Sequence, residues 1–223
     1  MNFSSPTQKI GILIPTTSRN RSWRTFKETH LYNLFLTSFI STYDKEHTYI
    51  IYLVVDDDDA VLSKATEKKA LFNLTNSHTN ITFKLISSSG IPSGHVSLMW
   101  NRAFKSAYQD KCDYFFQSGD DIVFLQKNWV NASILELQKN NNIGLTGPVD
   151  WNRWQFGPNS RPGGSRFIQT QSFVSRKHME IFGFYFPEEI KNWYCDDWMT
   201  FSYYPDFYYF IDGVDPTNIK VNE

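Results

Sequence analysis

Short apolar runs alternate with helical patterns along the chain as far as Pro148, and this alternation limits the fold more than any other feature. The runs that indicate buried strands are Lys9–Pro15, Thr48–Val55, Ile81–Ile86, Tyr114–Gln117 and Ile143–Thr146. Apolar residues at helical spacing predict the intervening helices, at Trp23–Ile40, Ala60–Leu74, Val96–Tyr108 and Trp129–Leu137. Alternating strands and helices are typical of an α/β fold with a doubly wound, mostly parallel central sheet.

The sequence changes in character from Asp150 onward. A long segment, Trp151–Gly164, is rich in aromatic residues, Gly and Pro, and long segments of this kind usually form lids or binding loops. Beyond it, the patterns predict strands and short helices at Arg166–Val174, Arg176–Phe182, Asp196–Tyr203 and Phe207–Phe210. We therefore expect one domain over residues 1–223, with a larger half that ends near residue 125 and a smaller C-terminal subregion.

Charge and cysteine content exclude several classes of protein. The net charge is -1, so the chain lacks the basic excess that binds a nucleic-acid backbone. Two cysteines, Cys112 and Cys195, are too few for a disulfide framework or a zinc site. The N-terminus is polar and no apolar run approaches about 18 residues. We therefore expect no signal peptide and no transmembrane segment, and we predict a cytoplasmic location.

Polar and charged residues follow three of the predicted strands, at the point where each strand ends. Thr16, Thr17 and Arg19 follow the first strand, the run Asp56–Asp59 follows the second, and Asp120 with Asp121 follows the fourth. Because parallel strands end at one edge of a sheet, and ligands bind at that edge, these residues predict a common site. The alternative for the acidic run is a solvated turn before a helix. We expect at least two of its four carboxylates to be of that kind, and Asp56 and Asp57 to contact the ligand.

Asp120 and Asp121 lie between two apolar runs, Tyr114–Phe116 and Ile122–Phe124. Burying a charge is costly unless it is paired or coordinates a metal, so this position favours a metal site over a solvated turn. Mg²⁺ and Mn²⁺ are usually held by one or two carboxylates together with substrate phosphates. The pattern therefore indicates a site for a diphosphate and a divalent cation.

These residues resemble glycosyltransferases of the GT-A fold over nearly the whole chain. I-G-I-L-I-P-T-T is similar to the family's first strand and nucleotide-binding loop, and V-V-D-D-D-D is similar to the acidic end of its second strand. S-G-H-V-S-L-M-W-N-R-A-F resembles the helix before the metal motif. Gly119-Asp120-Asp121 resembles the DxD motif, with Gly in place of the first Asp. Y-C-D-D-W resembles the segment of inverting members that carries an acidic pair.

The resemblance implies a role for each of these residues. Asp121 would hold Mn²⁺ or Mg²⁺, and Asp197 would be the catalytic base. The donor would contact Thr16, Thr17, Arg19, Asp56, Asp57, Asn101 and Asp120, and the acceptor side would include Asp150, Trp151 and Asp196. Asp196 would bind or orient the substrate and could also cap the helix that begins there. Many metal-dependent members have a late His ligand, but no His follows His178 here, so that ligand is absent or is replaced by Asp212 or Asp215.

The implied reaction is transfer of a sugar from a nucleotide-sugar donor, a UDP-sugar, to a glycan hydroxyl, with inversion and with metal assistance. The nucleotide would bind in the half that ends near residue 125, and the acceptor in residues 126–223. The composition resembles compact enzymes encoded by large DNA viruses, which would place the protein in the host cytoplasm. The chain could also be one domain of a longer multidomain protein.

Other classes share parts of this pattern. S-G-D-D resembles the metal-binding turn of RNA-dependent polymerases, but the chain is too short for a polymerase and lacks a basic channel. A sugar-phosphate nucleotidyltransferase would usually carry a Gly-rich loop near the first strand, whereas T-T-S-R-N-R contains no Gly. A non-catalytic nucleotide- or carbohydrate-binding module would bind nucleotide without turnover. The last two alternatives stay open.

Overall fold

A five-stranded sheet forms the centre of the computed structural model, which describes residues 6–150, 168–211 and the backbone of 219–221. Its strands are β1 (Lys9–Thr16), β2 (Thr48–Val55), β3 (Ile81–Ser87), β4 (Tyr114–Gln117) and β6 (Phe173–Ser175). Their order is β3-β2-β1-β4-β6, and only β6 runs antiparallel to its neighbour. The prediction of an α/β fold with a mostly parallel sheet is confirmed.

Two further strands form a separate antiparallel pair, β5 (Ile122–Phe124) with β7 (Ile219–Val221). Two predicted strands are wrong. Within Ile143–Thr146, Leu145 and Thr146 make only isolated bridges, to Tyr208 and Phe173. In the segment Phe207–Phe210, only Tyr208 forms a bridge, to Leu145. A single bridge does not make a strand, because it does not extend into a ladder. The structure describes residues 168–174 of the predicted strand Arg166–Val174. Within them the strand, β6, begins only at Phe173.

Six α-helices flank the sheet in the described residues: α1 (Thr37–Thr42), α2 (Ala65–Asn73), α3 (Val96–Gln109), α4 (Trp129–Lys139), α5 (Lys177–Phe182) and α6 (Cys195–Tyr203). The continuous helix predicted at Trp23–Ile40 is instead a 3-10 turn, Phe26–Glu28, a π-helix, Leu31–Leu36, and then α1. No helix in the described residues is both long and apolar enough to span a bilayer.

Side chains of β1 alternate between two hydrophobic clusters, one on each face of the sheet. Ile10, Ile12 and Ile14 belong to the cluster that includes α1, whereas Leu13 belongs to the cluster that includes α3. Gly11 lies where α3 crosses the strand, and a Cβ there would stand 3.0 Å from the Cβ of Ala107. The sheet is therefore buried on both faces, which leaves the ends of its strands as the exposed edge.

Candidate functional site

A cleft of about 590 Å³ opens at the carboxyl edge of the sheet. Thr16 and Asp56, at the ends of β1 and β2, lie on its wall with Asp120, which follows β4. The loop 88–94 and the first turn of α3, with Val96 and Met99, form the rest of its lining. The ends of β1 and β2 are level because Thr16 pairs with Val55. The parallel register thus brings three separate polar segments into one cavity.

Asp120 is held at the floor of the cleft by the end of β1. The hydroxyl of Thr16 donates a hydrogen bond of 2.5 Å to the Asp120 carboxylate. Burial raises the pKa of Asp120 to about 6, the Thr16 hydrogen bond opposes that rise, and the neighbouring charge of Asp121 adds to it. A carboxyl group whose anion is this poorly solvated gains from a cation nearby.

Asp121 is not among the described residues that line the cleft. Burial raises the pKa of its carboxyl group, and the charges of His30 and Arg21 lower it. A Cβ on Gly119 would stand 2.6 Å from the Asp121 Oδ1 atom. The carboxylate of Asp121 therefore lies over Gly119, and a side chain at position 119 would have to displace it.

The acidic run after β2 contains three residues that line the cleft and one, Asp59, that is buried. Asp56, Asp57 and Asp58 line the cleft. Asp56 accepts hydrogen bonds from Thr17 at 2.8 Å and from the Ser88 hydroxyl at 3.1 Å, and Asp57 accepts one from Ser87. These contacts join the strand end to the loop 88–94, so the acidic run also shapes the cleft.

Asp59 is buried, and its carboxylate accepts hydrogen bonds from nearby backbone and hydroxyl groups instead of lining the cleft. It accepts hydrogen bonds from the backbone and hydroxyl of Ser18, at 2.6 and 2.8 Å. It also accepts the N–H groups of Val61 and Leu62, at 2.9 and 2.6 Å. The turn that follows Asp59 ends at Lys64, whose backbone is extended, so α2 begins at Ala65 and not at Ala60, as the sequence pattern predicts.

Arg19 is the cation of the cleft. Its guanidinium group lies 3.1 Å from Asp58 and 3.6 Å from Asp56, and donates a hydrogen bond of 3.3 Å to Ser93. The side chain is 46% exposed, so a ligand can reach it. Arg19 thus connects the acidic run to the loop 88–94 and presents positive charge to the cavity.

The structure gives Asn101 a different role from the donor contact that we expected. Its amide oxygen accepts the N–H groups of Tyr185 and Phe186, at 3.0 and 2.8 Å, and its nitrogen donates to the Phe186 carbonyl at 2.7 Å. Asn101 therefore fixes a chain segment against α3, and it is absent from the described lining of the cleft. Arg102, on the same helix, holds the loop through the carbonyls of Ser87 and Ser89.

A second pocket, of about 340 Å³, lies beside the cleft. Gly119 contributes to this pocket and Asp120 to the cleft, so adjacent residues line the two cavities. Asp150, which is buried, and Asp196, which is partly buried, also line the pocket. Two carboxylates from separate parts of the chain therefore face one small cavity.

The acidic pair Asp196–Asp197 lies in the first turn of α6. The helix begins at Cys195 after Tyr194, so Asp196 is not the capping residue that the sequence suggested. The N–H of Asp197 donates to the Asp196 carboxylate at 3.1 Å. Asp197 is partly buried and is not among the described residues that line either cavity. Trp151, Asp212 and Asp215 lie outside the described residues.

No family model and no curated protein matches the sequence, but solved structures match the fold. The 1–349 fragment of S. aureus TarS gives a TM-score of 0.59 at 14% identity, over 92% of this chain and 58% of that one. The central fold is of the GT-A type. The same fragment in complex with UDP gives 0.58 at 14% identity, over 92% and 58% of the two chains. A longer TarS structure gives 0.54 at 12% identity, over 96% of this chain and 37% of that one.

The carboxylates of Asp120 and Asp121 form the donor set on which a metal could bind in this GT-A fold. Among the described residues, no group of three or more His, Cys, Asp or Glu side chains is placed to hold a metal ion. Mg²⁺ and Mn²⁺ need fewer, because they take their remaining oxygen ligands from substrate phosphates and water. The poorly solvated carboxylate of Asp120, which lines the cleft, therefore fits such an ion, and Asp121 is its neighbour in sequence.

Sequence reasoning missed the loop 88–94 and Asp58 as parts of the site. The loop sequence, S-S-G-I-P-S-G, was available as a signal, because Gly-rich and Ser-rich loops at a strand end commonly contact ligands. Gln117, Gln171 and Trp193, which line the second pocket, carried no such signal. Their positions depend on how the C-terminal segments fold back onto β4.

Proposed function

We propose that this chain is a glycosyltransferase that transfers a sugar from a UDP-sugar to a hydroxyl group of a glycan acceptor, with inversion at the anomeric carbon. The observation that carries the proposal is the pair of cavities that are lined by the adjacent residues Gly119 and Asp120. The larger has a volume typical of small-molecule sites, and the smaller presents two carboxylates. The fold shared with TarS, which was crystallised in complex with UDP, supports the same donor.

In this proposal the cleft holds the nucleotide and the diphosphate. Asp56 and Asp57 contact the nucleoside, and Arg19 stabilises the negative charge that develops on the leaving diphosphate. Asp120 and Asp121 would hold Mn²⁺ or Mg²⁺, which would neutralise the same charge when bound. The partly buried carboxylate of Asp120 is positioned for this by its hydrogen bond to Thr16.

The smaller pocket receives the acceptor. The hydroxyl group of the acceptor attacks the anomeric carbon from the face opposite the diphosphate. Asp197 takes the proton of this hydroxyl group as the new bond forms. Asp196 and Asp150 line this pocket and orient the acceptor through its other hydroxyl groups. The N-terminal end of α6 stabilises the carboxylates in its first turn.

Turnover of Asp197→Asn tests the base. General-base assistance is worth about 10²–10⁴ in rate, so we expect UDP release in the presence of acceptor to fall by that factor. UDP affinity should stay near that of the parent chain, because the base contacts the acceptor. Asp206→Asn is the matched control, because Asp206 is an exposed carboxylate that is absent from the described lining of both cavities. NMR of the product should show inverted configuration at the anomeric carbon.

Four results would contradict this proposal. Retained configuration, or full turnover in Asp197→Asn, would remove Asp197 as the base and direct attention to Asp196 or Asp150. UDP binding without transfer to any acceptor would favour a non-catalytic binding module. Formation of a UDP-sugar from UTP and a sugar phosphate would favour a nucleotidyltransferase.

A further inference from the structure

Three buried glutamines lie close together at the smaller pocket, and their side chains differ in the hydrogen bonds that they make. Gln117, Gln169 and Gln171 are 4%, 3% and 7% exposed. The Nε2 group of Gln169 donates to the carbonyls of Pro148 and Gln171, both at 2.8 Å. Its Oε1 atom accepts the Tyr208 hydroxyl at 3.3 Å. The amide of Gln169 is therefore fully used inside the protein, as is usual for a buried polar group.

The other two glutamines use only the oxygen of the side-chain amide. The Oε1 atom of Gln171 accepts the N–H of Gly119 at 3.2 Å. The Oε1 atom of Gln117 accepts the N–H of Ser172 at 3.2 Å and the Ser172 hydroxyl at 3.0 Å. A backbone N–H can only donate, so each oxygen has to face it and each NH₂ group is directed away from that bond. Among the described contacts, neither Nε2 group has a partner.

Both of these glutamines line the smaller pocket, whereas Gln169 is absent from its described lining. A buried donor without a partner is costly unless water or a ligand reaches it. Within the described residues, neither Nε2 atom is both sealed from solvent and without a partner. The pocket is therefore the opening through which these nitrogen atoms are reached. Two amide groups, each fixed through its oxygen, thus offer N–H donors to a ligand in the pocket.

These amides lie where the sugar of the donor has to be. In the proposed reaction the sugar leaves a diphosphate in the cleft and joins a hydroxyl group in the smaller pocket, so it lies between the two. Gln171 bonds to Gly119, which is next to Asp120, and Asp120 lines the cleft. Gln117 is the last residue of β4, the strand that leads into Gly119. Hydroxyl and carbonyl oxygens on a sugar ring accept hydrogen bonds from N–H groups.

We propose that Gln117 and Gln171 bind the transferred sugar of the donor. Their Nε2 groups donate hydrogen bonds to hydroxyl or carbonyl oxygens on the sugar ring and so orient the anomeric carbon toward the acceptor. This inference rests on the proposed glycosyltransferase function and adds the residues that hold the sugar. Because Gln171 also accepts the N–H of Gly119, it fixes the sugar relative to the motif Gly119–Asp121. A nucleotide without a sugar gains nothing from the two Nε2 groups.

Calorimetric titration in Mn²⁺ with UDP and with UDP-glucose, UDP-galactose and UDP-N-acetylglucosamine tests the proposal. The quantity compared is the affinity of the UDP-sugar that binds best, divided by the affinity of UDP. We expect Gln117→Met and Gln171→Met to lower this ratio at least about tenfold, which is about 1.4 kcal/mol. Met keeps the length of the side chain and lacks the amide. Gln109→Met is the control, because Gln109 is an exposed residue of α3 and is absent from the described lining of both cavities.

NMR of the side-chain NH₂ groups is a second test that does not depend on the stability of a variant. The parent chain is labelled with ¹⁵N-glutamine, and its signals are assigned by correlation to the backbone. We expect the NH₂ signals of Gln117 and Gln171 to move between the UDP complex and the UDP-sugar complex, because only the sugar reaches them. The NH₂ signals of Gln109 and Gln169 should stay in place.

UDP binding by the parent chain is measured first and tests the proposed function by itself. If UDP binds, the inference is overturned by a ratio that is unchanged in either variant, or by NH₂ signals that do not respond to any of the UDP-sugars. Equal weakening of UDP and UDP-sugar would also overturn it, because it would show a purely structural role. NH₂ signals that respond only to methyl β-D-glucopyranoside, added to the UDP complex, would overturn it in favour of acceptor binding by these amides.

Discussion

The carboxylate of Asp59 is enclosed by hydrogen-bond donors although it belongs to the acidic run at the cleft. It accepts four hydrogen bonds, from Ser18, Val61 and Leu62. Its neighbour Asp58 is 79% exposed and pairs only with Arg19 among the described contacts. Adjacent residues of one type thus have different physical roles, which depend on burial and on the partners available.

We expect Asp59→Ala to lower the free energy of unfolding by about 3 kcal/mol, because it leaves buried donors without a partner. Asp58→Ala should change it by less than about 0.5 kcal/mol, because its ion pair is solvated. Urea denaturation measures both. UDP affinity of folded Asp59→Ala should stay near that of the parent. Equal stability of the two variants would show that the Asp59 contacts contribute little.

Gly119 supports a second prediction at this scale. A Cβ at this position meets the Asp121 carboxylate, which can move, and not the backbone. We therefore expect the free energy of unfolding of Gly119→Ala to lie within about 1 kcal/mol of that of the parent. Its affinity for UDP in Mn²⁺ should fall at least about tenfold, as in Asp121→Asn, because the displaced carboxylate no longer supports the metal. Calorimetric titration in Mn²⁺ and in EDTA measures this. Parent-like affinity of both variants in Mn²⁺ would exclude Asp121 as a ligand.

The central strands could be predicted from the sequence because each is a short apolar run bounded by polar residues, and β2 and β4 have the predicted bounds. The N-terminal helix could not. The Glu28 carboxylate accepts the N–H groups of Arg24 and Thr25, and the Thr29 hydroxyl bonds to the Phe26 carbonyl. These local bonds end a turn that the apolar spacing alone would continue. Helix α2 also begins later than predicted, because Lys64 directly before it has an extended backbone.

His178 links α5 to α6 and makes this part of the fold sensitive to acid. Its Nδ1 atom pairs with the Tyr203 hydroxyl at 2.7 Å, and its Nε2 atom pairs with the Tyr185 carbonyl at 3.1 Å. Burial lowers the pKa of His178 to about 4, against about 6.5 for an unfolded chain. The neutral ring is therefore the form that the folded state accommodates.

The unfolded chain binds the proton on His178 more tightly than the folded chain does. The contribution of the neutral ring to the free energy of unfolding is therefore complete above about pH 6.5 and is lost as the pH falls toward 4. The loss amounts to about 3 kcal/mol over that interval. Urea denaturation at pH 7 and pH 5 measures it. His178→Gln should be less stable than the parent at pH 7. Its free energy of unfolding should also change less than that of the parent between pH 7 and pH 5. An unchanged slope would show that other groups cause the acid sensitivity.

At the scale of the whole molecule, the parallel register of the sheet brings the predicted donor residues to one edge. Thr16, Thr17, Arg19, Asp56, Asp57 and Asp120 all line the same cleft. Asn101 could not be placed from the sequence, because its partners lie more than eighty residues further along the chain. The second pocket was equally hidden, since it forms where α6 and the segment before β6 meet β4. The cytoplasmic location and the viral origin stay predictions.

Calorimetric titration of the chain with UDP in Mn²⁺, with GDP, ADP and CMP in parallel, tests the central claim most directly. We predict that UDP binds with a stoichiometry of about one, more tightly than the other three, and more weakly in EDTA. Asp56→Ala should lose most of this affinity, whereas folded Asp59→Ala should keep it. If no nucleotide binds, or if Asp56→Ala binds UDP as tightly as the parent, the cleft is not the donor site.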